Sequence, residues 1–175
     1  MNAFVRHLGE DYQKLPGLIQ QAHHGVIHLE GNVFVRHGNM LARLFAGILK
    51  LPPAAESVQL TVDGYHEDSQ MRWLRNFGGH QMQSCFRLEG DYLVENMGPV
   101  RLWMKLVVEQ DTLQYKLCRA SVWGVTIPAW FAPGLNAFEK EDNGNYIFGV
   151  RINLPVLGRL IEYGGTMRLH PSSID

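Results

Sequence analysis

From Pro53 onward the chain is a near-continuous succession of segments in which apolar and polar residues alternate with a period of two. Val100, Leu102, Met104, Leu106 and Val108 fall on one face of such a segment, and Arg101, Trp103, Lys105, Val107 and Glu109 on the other. Tyr146, Phe148, Val150, Ile152 and Leu154 repeat the pattern, as do Val58, Leu60 and Val62. Successive side chains of a strand point to opposite faces, so this pattern describes strands with one face on a core. The breaks between them are short and rich in turn residues: Glu67-Asp68-Ser69, Gly78-Gly79, Glu89-Gly90-Asp91, Gly98-Pro99, Gln110-Asp111 and Asp142-Asn143-Gly144. Turns that short join antiparallel neighbours, which excludes a parallel α/β fold.

Helical periodicity is confined to the first third. Leu15, Leu18, Ile19 and Ala22 share one helical face in a segment running from about Gly9 to His24, with Pro16 in its first turn. A strand or tight hairpin follows over Ile27–Arg36, broken near Gly31-Asn32. Asn39 then caps the clearest helix, in which Leu41, Leu44, Phe45, Ile48 and Leu49 form an apolar stripe ended by Pro52-Pro53. The expected architecture is α+β. An antiparallel meander of about eight to ten strands curls into a barrel or half-barrel, and one of two N-terminal helices covers the sheet.

At 175 residues, 46% of them hydrophobic, the chain suits a single domain spanning residues 1–175. A formal net charge of -1 supplies no basic excess for a nucleic-acid partner. No apolar stretch is long enough to form a transmembrane segment, and Met1–His7 does not read as a secretory leader. Cys85 and Cys118 read as free, buried thiols, so a cytoplasmic location is expected. The chain has no Gly-rich dinucleotide loop, phosphate-binding loop, nucleophile elbow or zinc-ligand pair, so neither a cofactor nor a metal is expected.

Polar residues on faces that otherwise read as apolar are the informative feature. Arg75 lies between Trp73 and Phe77, Ser84 between Met82 and Phe86, and Glu95 between Leu93 and Met97. Arg119 and Ser121 continue the face of Leu113, Tyr115 and Leu117 towards Trp123. Buried charges must be paired or meet water. Two readings stand. In one, these residues and the aromatics Trp73 and Trp123 line a ligand cavity; in the other, a β-bulge near Cys118 turns Arg119 outward and Arg75 sits at a solvated edge. Trp130 and Phe131, in the loop from Gly124 to Gly134, are candidates for a lid or a partner contact. Glu139 and Glu141 share a strand face but read as part of an exposed hairpin, and His66 and His80 as solvent-exposed turn residues.

Several short segments together resemble a bacterial family, domain of unknown function 4166. They include Leu15-Pro16, Arg36-His37-Gly38, Leu51-Pro52-Pro53, Arg75 with Phe77-Gly78-Gly79, Ser84, Glu95 with Gly98-Pro99, Leu154-Pro155, Tyr163 and Gly165. The resemblance spans nearly the full chain. It implies a bacterial origin and a domain that also occurs beside an NAD(P)-binding reductase, and it supplies no reaction and no catalytic residue. The leading expectation is therefore a domain that binds a small amphipathic or lipid-like molecule within a curved sheet. The alternatives are a cofactor-independent isomerase or hydrolase using His24, Glu95 or Arg75, and a structural module that meets a reductase partner through Trp130 and Phe131.

Overall fold

The alternating segments pair in chain order. In the computed structural model, which describes residues 1–170, seven strands follow one another as antiparallel neighbours. They are β1 (Gly25–His37), β2 (Ala55–His66), β3 (Met71–Phe77), β4 (His80–Glu89), β5 (Tyr92–Met97), β6 (Val100–Glu109) and β7 (Thr112–Val122). A two-residue strand, β8 (Val125–Thr126), folds back on the end of β7. The meander then continues through β9 (Gly134–Asp142), β10 (Asn145–Leu154) and β11 (Gly158–His170). Pairing of β9 with β7 and of β11 with β1 closes the sheet. The result is a closed antiparallel barrel of 10 strands with β8 outside the ring. Closure removes the free edges that an open meander would expose. The β7–β9 seam is short, joining Thr112–Tyr115 to Ala137–Lys140, and beyond Tyr115 these two strands no longer pair.

Strand β1 runs unbroken through Gly31-Asn32, where a hairpin was one of the expectations. The reason is close approach rather than a turn: a Cβ on Gly31 would lie 2.2 Å from the Thr166 carbonyl oxygen. Glycine lets β1 lie flat against β11 at the position where the barrel closes. Asn143 and Gly144 make the expected tight hairpin, both with positive φ.

The N-terminal segment is more divided than its periodicity suggests. Helix α1 (Ala3–Leu8) is capped by Asn2, whose side chain accepts the Val5 N–H at 3.0 Å. A 3₁₀ turn (Gly9–Lys14) follows, and then α2 (Gly17–Ala22). Pro16 stands just before α2 and holds Leu15 extended, so of the two forms open to this segment, a short helix or separate helical turns, the turns are what forms. Together these elements plug one end of the barrel, α1 against β4, β5 and β6, and α2 against β1, β9 and β10. Phe4, Leu15, Ile19 and Ala22 are buried in the plug.

Helix α3 (Met40–Ile48) lies at the opposite end, capped by Asn39 as expected. At its start, Asn39 Nδ2 donates to the Leu157 carbonyl between β10 and β11; just past its end, the Lys50 carbonyl meets His80 Nε2 beside the β3–β4 turn. The helix thus straps across that end. It packs through Ala42 and Ala46, which are fully buried, while the stripe of Leu41, Leu44, Phe45 and Ile48 stays exposed.

At the β10–β11 turn, Val156 is 98% exposed with φ of 69°. A β-branched residue is disfavoured in this left-handed region. Val156→Gly is expected to raise the unfolding free energy by about 0.5–1 kcal/mol. A urea titration showing a lower midpoint for the variant would contradict this.

Candidate functional site

Ten tilted strands leave a lumen, and inward side chains line it at every second position. On one wall, three adjacent strands contribute Arg75 (β3), Ser84 (β4) and Glu95 (β5). Ser84 pairs across the strands with Trp73, and Glu95 with Phe86, so the three residues form a diagonal row on the inner face. Arg75 Nη1 donates to Ser84 Oγ at 2.5 Å, and Ser84 passes its own hydrogen to Glu95 Oε1 at 2.6 Å. Arg75 Nη2 stands 3.6 Å from the same carboxylate oxygen. The guanidinium also lies over Trp73, 5.3 Å from the ring centre. Burial opposes the Arg75 charge, but Tyr163 and Glu95 outweigh it and raise the pKa further.

The facing wall carries a second diagonal row, Tyr115 (β7), Glu139 (β9) and Tyr146 (β10). Tyr115 donates to Glu139 Oε1 at 2.6 Å, and His23 Nε2, reaching up from the plug, lies 2.6 Å from Glu139 Oε2. Burial by itself would raise the Glu139 pKa. The charge and hydrogen bond of His23, with the hydroxyls of Tyr115 and Tyr146, prevail and hold the carboxyl below its ordinary value. Burial and then the Glu139 charge push both tyrosines well above the ordinary phenol value. His23 is stacked between Phe4, 3.7 Å away centre to centre, and Trp73 at 5.4 Å. Its Nδ1 has no hydrogen-bond partner among the described residues.

Between the two rows is a cavity of about 90 Å³. That is room for several waters, and less than the ~150 Å³ of a cavity known to take up benzene. Leu29, Leu60, Met104 and Met167 supply much of its apolar wall, and it extends to Met97, Leu135 and Ile152 at the α3 end of their strands. Arg75 and Glu95 keep 11% and 12% exposure, and both line this space. Tyr163 lines the same space; burial raises its pKa, Arg75 opposes the rise and Glu95 adds to it.

A family model, Domain of unknown function (DUF4166), matches residues 15–167. The chain belongs to that family. No curated protein and no solved structure matches this DUF4166 domain.

The DUF4166 barrel brings together Trp73, Arg75, Ser84 and Glu95 from four of the expected positions. Arg119, Ser121 and Trp123 do not join them. The β6–β7 register shifts between Trp103 and Met104, so that Trp103 faces Arg119 and Met104 faces Leu117, leaving Cys118 as the extra residue, exposed where a buried thiol was expected. This bulge reverses the facing of everything after it. Arg119 is exposed and lies 3.8 Å over the Trp103 ring on the outer surface; Ser121 is buried beside Trp103 and Thr126; Trp123 is 65% exposed. His24 lies in a separate surface hollow with Tyr12 and Gln21, away from Arg75 and Glu95.

Two expectations need correction. Glu139 is not on an exposed hairpin: the face it shares with Leu135 and Ala137 turns into the barrel, and only Glu141, which accepts the Leu18 N–H, lies at the plug. The alternation Leu135, Ala137, Glu139 is the signal that marks it, by the same reasoning that singled out Arg75. His66 is not a free turn residue either. Its Nδ1–H donates to the Gly25 carbonyl at 2.9 Å, and its Nε2 accepts the Trp73 indole N–H at 3.1 Å. Burial first, and then the neighbouring His23, lower its pKa to about 4.

Proposed function

We propose that the barrel is a binding chamber for a small amphipathic molecule whose acceptor group meets Arg75 and whose apolar body extends towards Met97, Leu135 and Ile152. The observation that carries this reading is the pair of polar rows facing one apolar-walled cavity, the usual composition of a small-molecule site. The two rows are not equivalent. Both oxygens of Glu139 already accept hydrogen bonds, so that row serves as a fixed floor. Of the Arg75 nitrogens, by contrast, Nη1 alone is engaged within hydrogen-bonding distance among the described residues. The Tyr163 hydroxyl likewise has no hydrogen-bond partner among them. A carboxylate can take two N–H donors from one guanidinium, which makes it the acceptor best matched to this wall. A guest the size of hexanoate exceeds the resting cavity, so binding requires the wall to give way; three lining methionines, Met97, Met104 and Met167, are the side chains best able to repack.

The pKa directions favour binding over proton transfer. Glu139 is held low and Tyr115, Tyr146 and Tyr163 are held high, each away from the range useful to an acid or base near neutrality.

Native mass spectrometry with hexanoate and hexan-1-ol tests the proposal. A one-to-one complex is expected with hexanoate and a weaker one with the alcohol. The triple variant Arg75→Met, Ser84→Ala, Glu95→Met should bind neither. No complex with the wild-type chain, or equal binding by the variant, would overturn it.

A further inference from the structure

Most of the exposed large apolar residues gather at one barrel end, with Met1, Val26 and Tyr92 at the other and Leu74 on the side. Because the meander is strictly up and down, the connections β1–β2, β3–β4, β5–β6, β7–β9 and β10–β11 all lie at the end opposite the plug. Leu41, Leu44 and Ile48 on α3, Trp130 and Phe131 in the β7–β9 connection, and Val156 between β10 and β11 are all exposed there, Trp130 to 81%. Trp130 and Phe131 pack edge to face on each other, 5.6 Å between centres, and so project as one aromatic unit.

Charge follows the same division. The five connections at this end contain Arg43 and Lys50 and not one Asp or Glu. Those at the plug end contain Glu67, Asp68, Asp91 and Asp111 and no Lys or Arg, and the plug itself adds Glu10 and Asp11 against Arg6 and Lys14. The mouth is therefore apolar with cations, and the base is acidic.

We infer that the mouth docks onto an anionic phospholipid surface, with α3 lying in the interface and Trp130-Phe131 inserted beside it. Three features match that occupant. A helix with apolar residues outward, Arg43 among them and Lys50 just past its end, suits the headgroup–acyl boundary. Tryptophan is favoured at the same depth. The charge division orients the domain, attracting the mouth to an anionic surface and repelling the base. The inference rests on the outer surface of the mouth and does not require the chamber to bind anything.

Flotation with phosphatidylcholine vesicles, with and without phosphatidylserine, tests it on the full chain. Binding to the phosphatidylserine vesicles is expected, weakening as salt is raised. Leu44→Ser with Trp130→Ser should reduce binding by roughly tenfold or more. Both side chains are exposed, so circular dichroism and thermal unfolding should be unchanged. Leu74→Ser, exposed on the barrel side, should leave binding intact. Failure to float with either vesicle would overturn the inference, as would equal flotation of the double variant. So would a dimer of the wild-type chain, by sedimentation velocity, that the double variant abolishes; the face would then be a self-association surface.

Discussion

Arg75→Met is expected to lower the unfolding free energy by about 3–5 kcal/mol, because it leaves Glu95 enclosed and without its cation. The loss comes from the stranded partner more than from the contact itself. An ion pair taken out of water recovers its desolvation cost only while both members remain. The triple variant Arg75→Met, Ser84→Ala, Glu95→Met removes the whole row and strands nothing. It should recover most of the loss, since apolar replacements of a buried ion pair are often neutral or stabilising. Ser84 is included because its fully buried hydroxyl would otherwise lose both partners, at a cost of about 1–3 kcal/mol. Urea unfolding of the two variants separates the effects. If Arg75→Met were as stable as the wild type, the row would not be an enclosed, coupled network. A stable triple variant that cannot bind hexanoate would assign the row to ligand recognition rather than to folding.

Acid should weaken the domain well above the carboxylate range, with His66 the main cause. In the folded chain His66 stays neutral down to about pH 4, whereas the unfolded chain takes up that proton near 6.5. Its contribution is therefore fully favourable above about pH 6.5, declines as the pH falls, and has been lost once the pH passes below about 4. Between neutrality and pH 5 the loss from this residue is about 2 kcal/mol. His7 acts in the same direction, its pKa lowered by burial and then by Lys105. Glu139, held low when folded, adds its own loss only at more acid pH. His66→Gln retains an acceptor for Trp73 and a donor for Gly25 and should flatten most of this dependence. Identical urea midpoints for wild type and variant at both pH 7.5 and pH 5 would contradict the assignment.

The barrel was legible because period-two alternation is a local signal and nearly every turn is short enough to force antiparallel neighbours. Closure was not, since the pairing of β1 with β11 joins residues far apart in sequence and depends on Gly31 having no side chain. Within the site, Trp73, Arg75, Ser84 and Glu95 could be read from one wall, where register holds from turn to turn. For Arg119, Ser121 and Trp123 the alternation left the cavity and a bulge near Cys118 both open; the bulge is what forms, and one extra residue there exchanges inside for outside. Glu139 was hidden differently. Its neighbours Lys140, Glu141 and Asp142 make the segment look solvated, and its hydrogen-bond partners His23 and Tyr115 come from elements distant in the chain. The stripe on α3 misled in the opposite sense: its helical period is real, but the alanines Ala42 and Ala46 face the barrel.

The seven methionines give the most direct test of the chamber. Met97, Met104 and Met167 line the cavity, while Met1 and Met40 are exposed outside it. In a methyl NMR titration of methionine-labelled protein with hexanoate, the first three signals should shift together and saturate as a single site, with Met1 and Met40 unmoved. Shifts confined to Met40, or none at all, would contradict a ligand chamber inside the barrel.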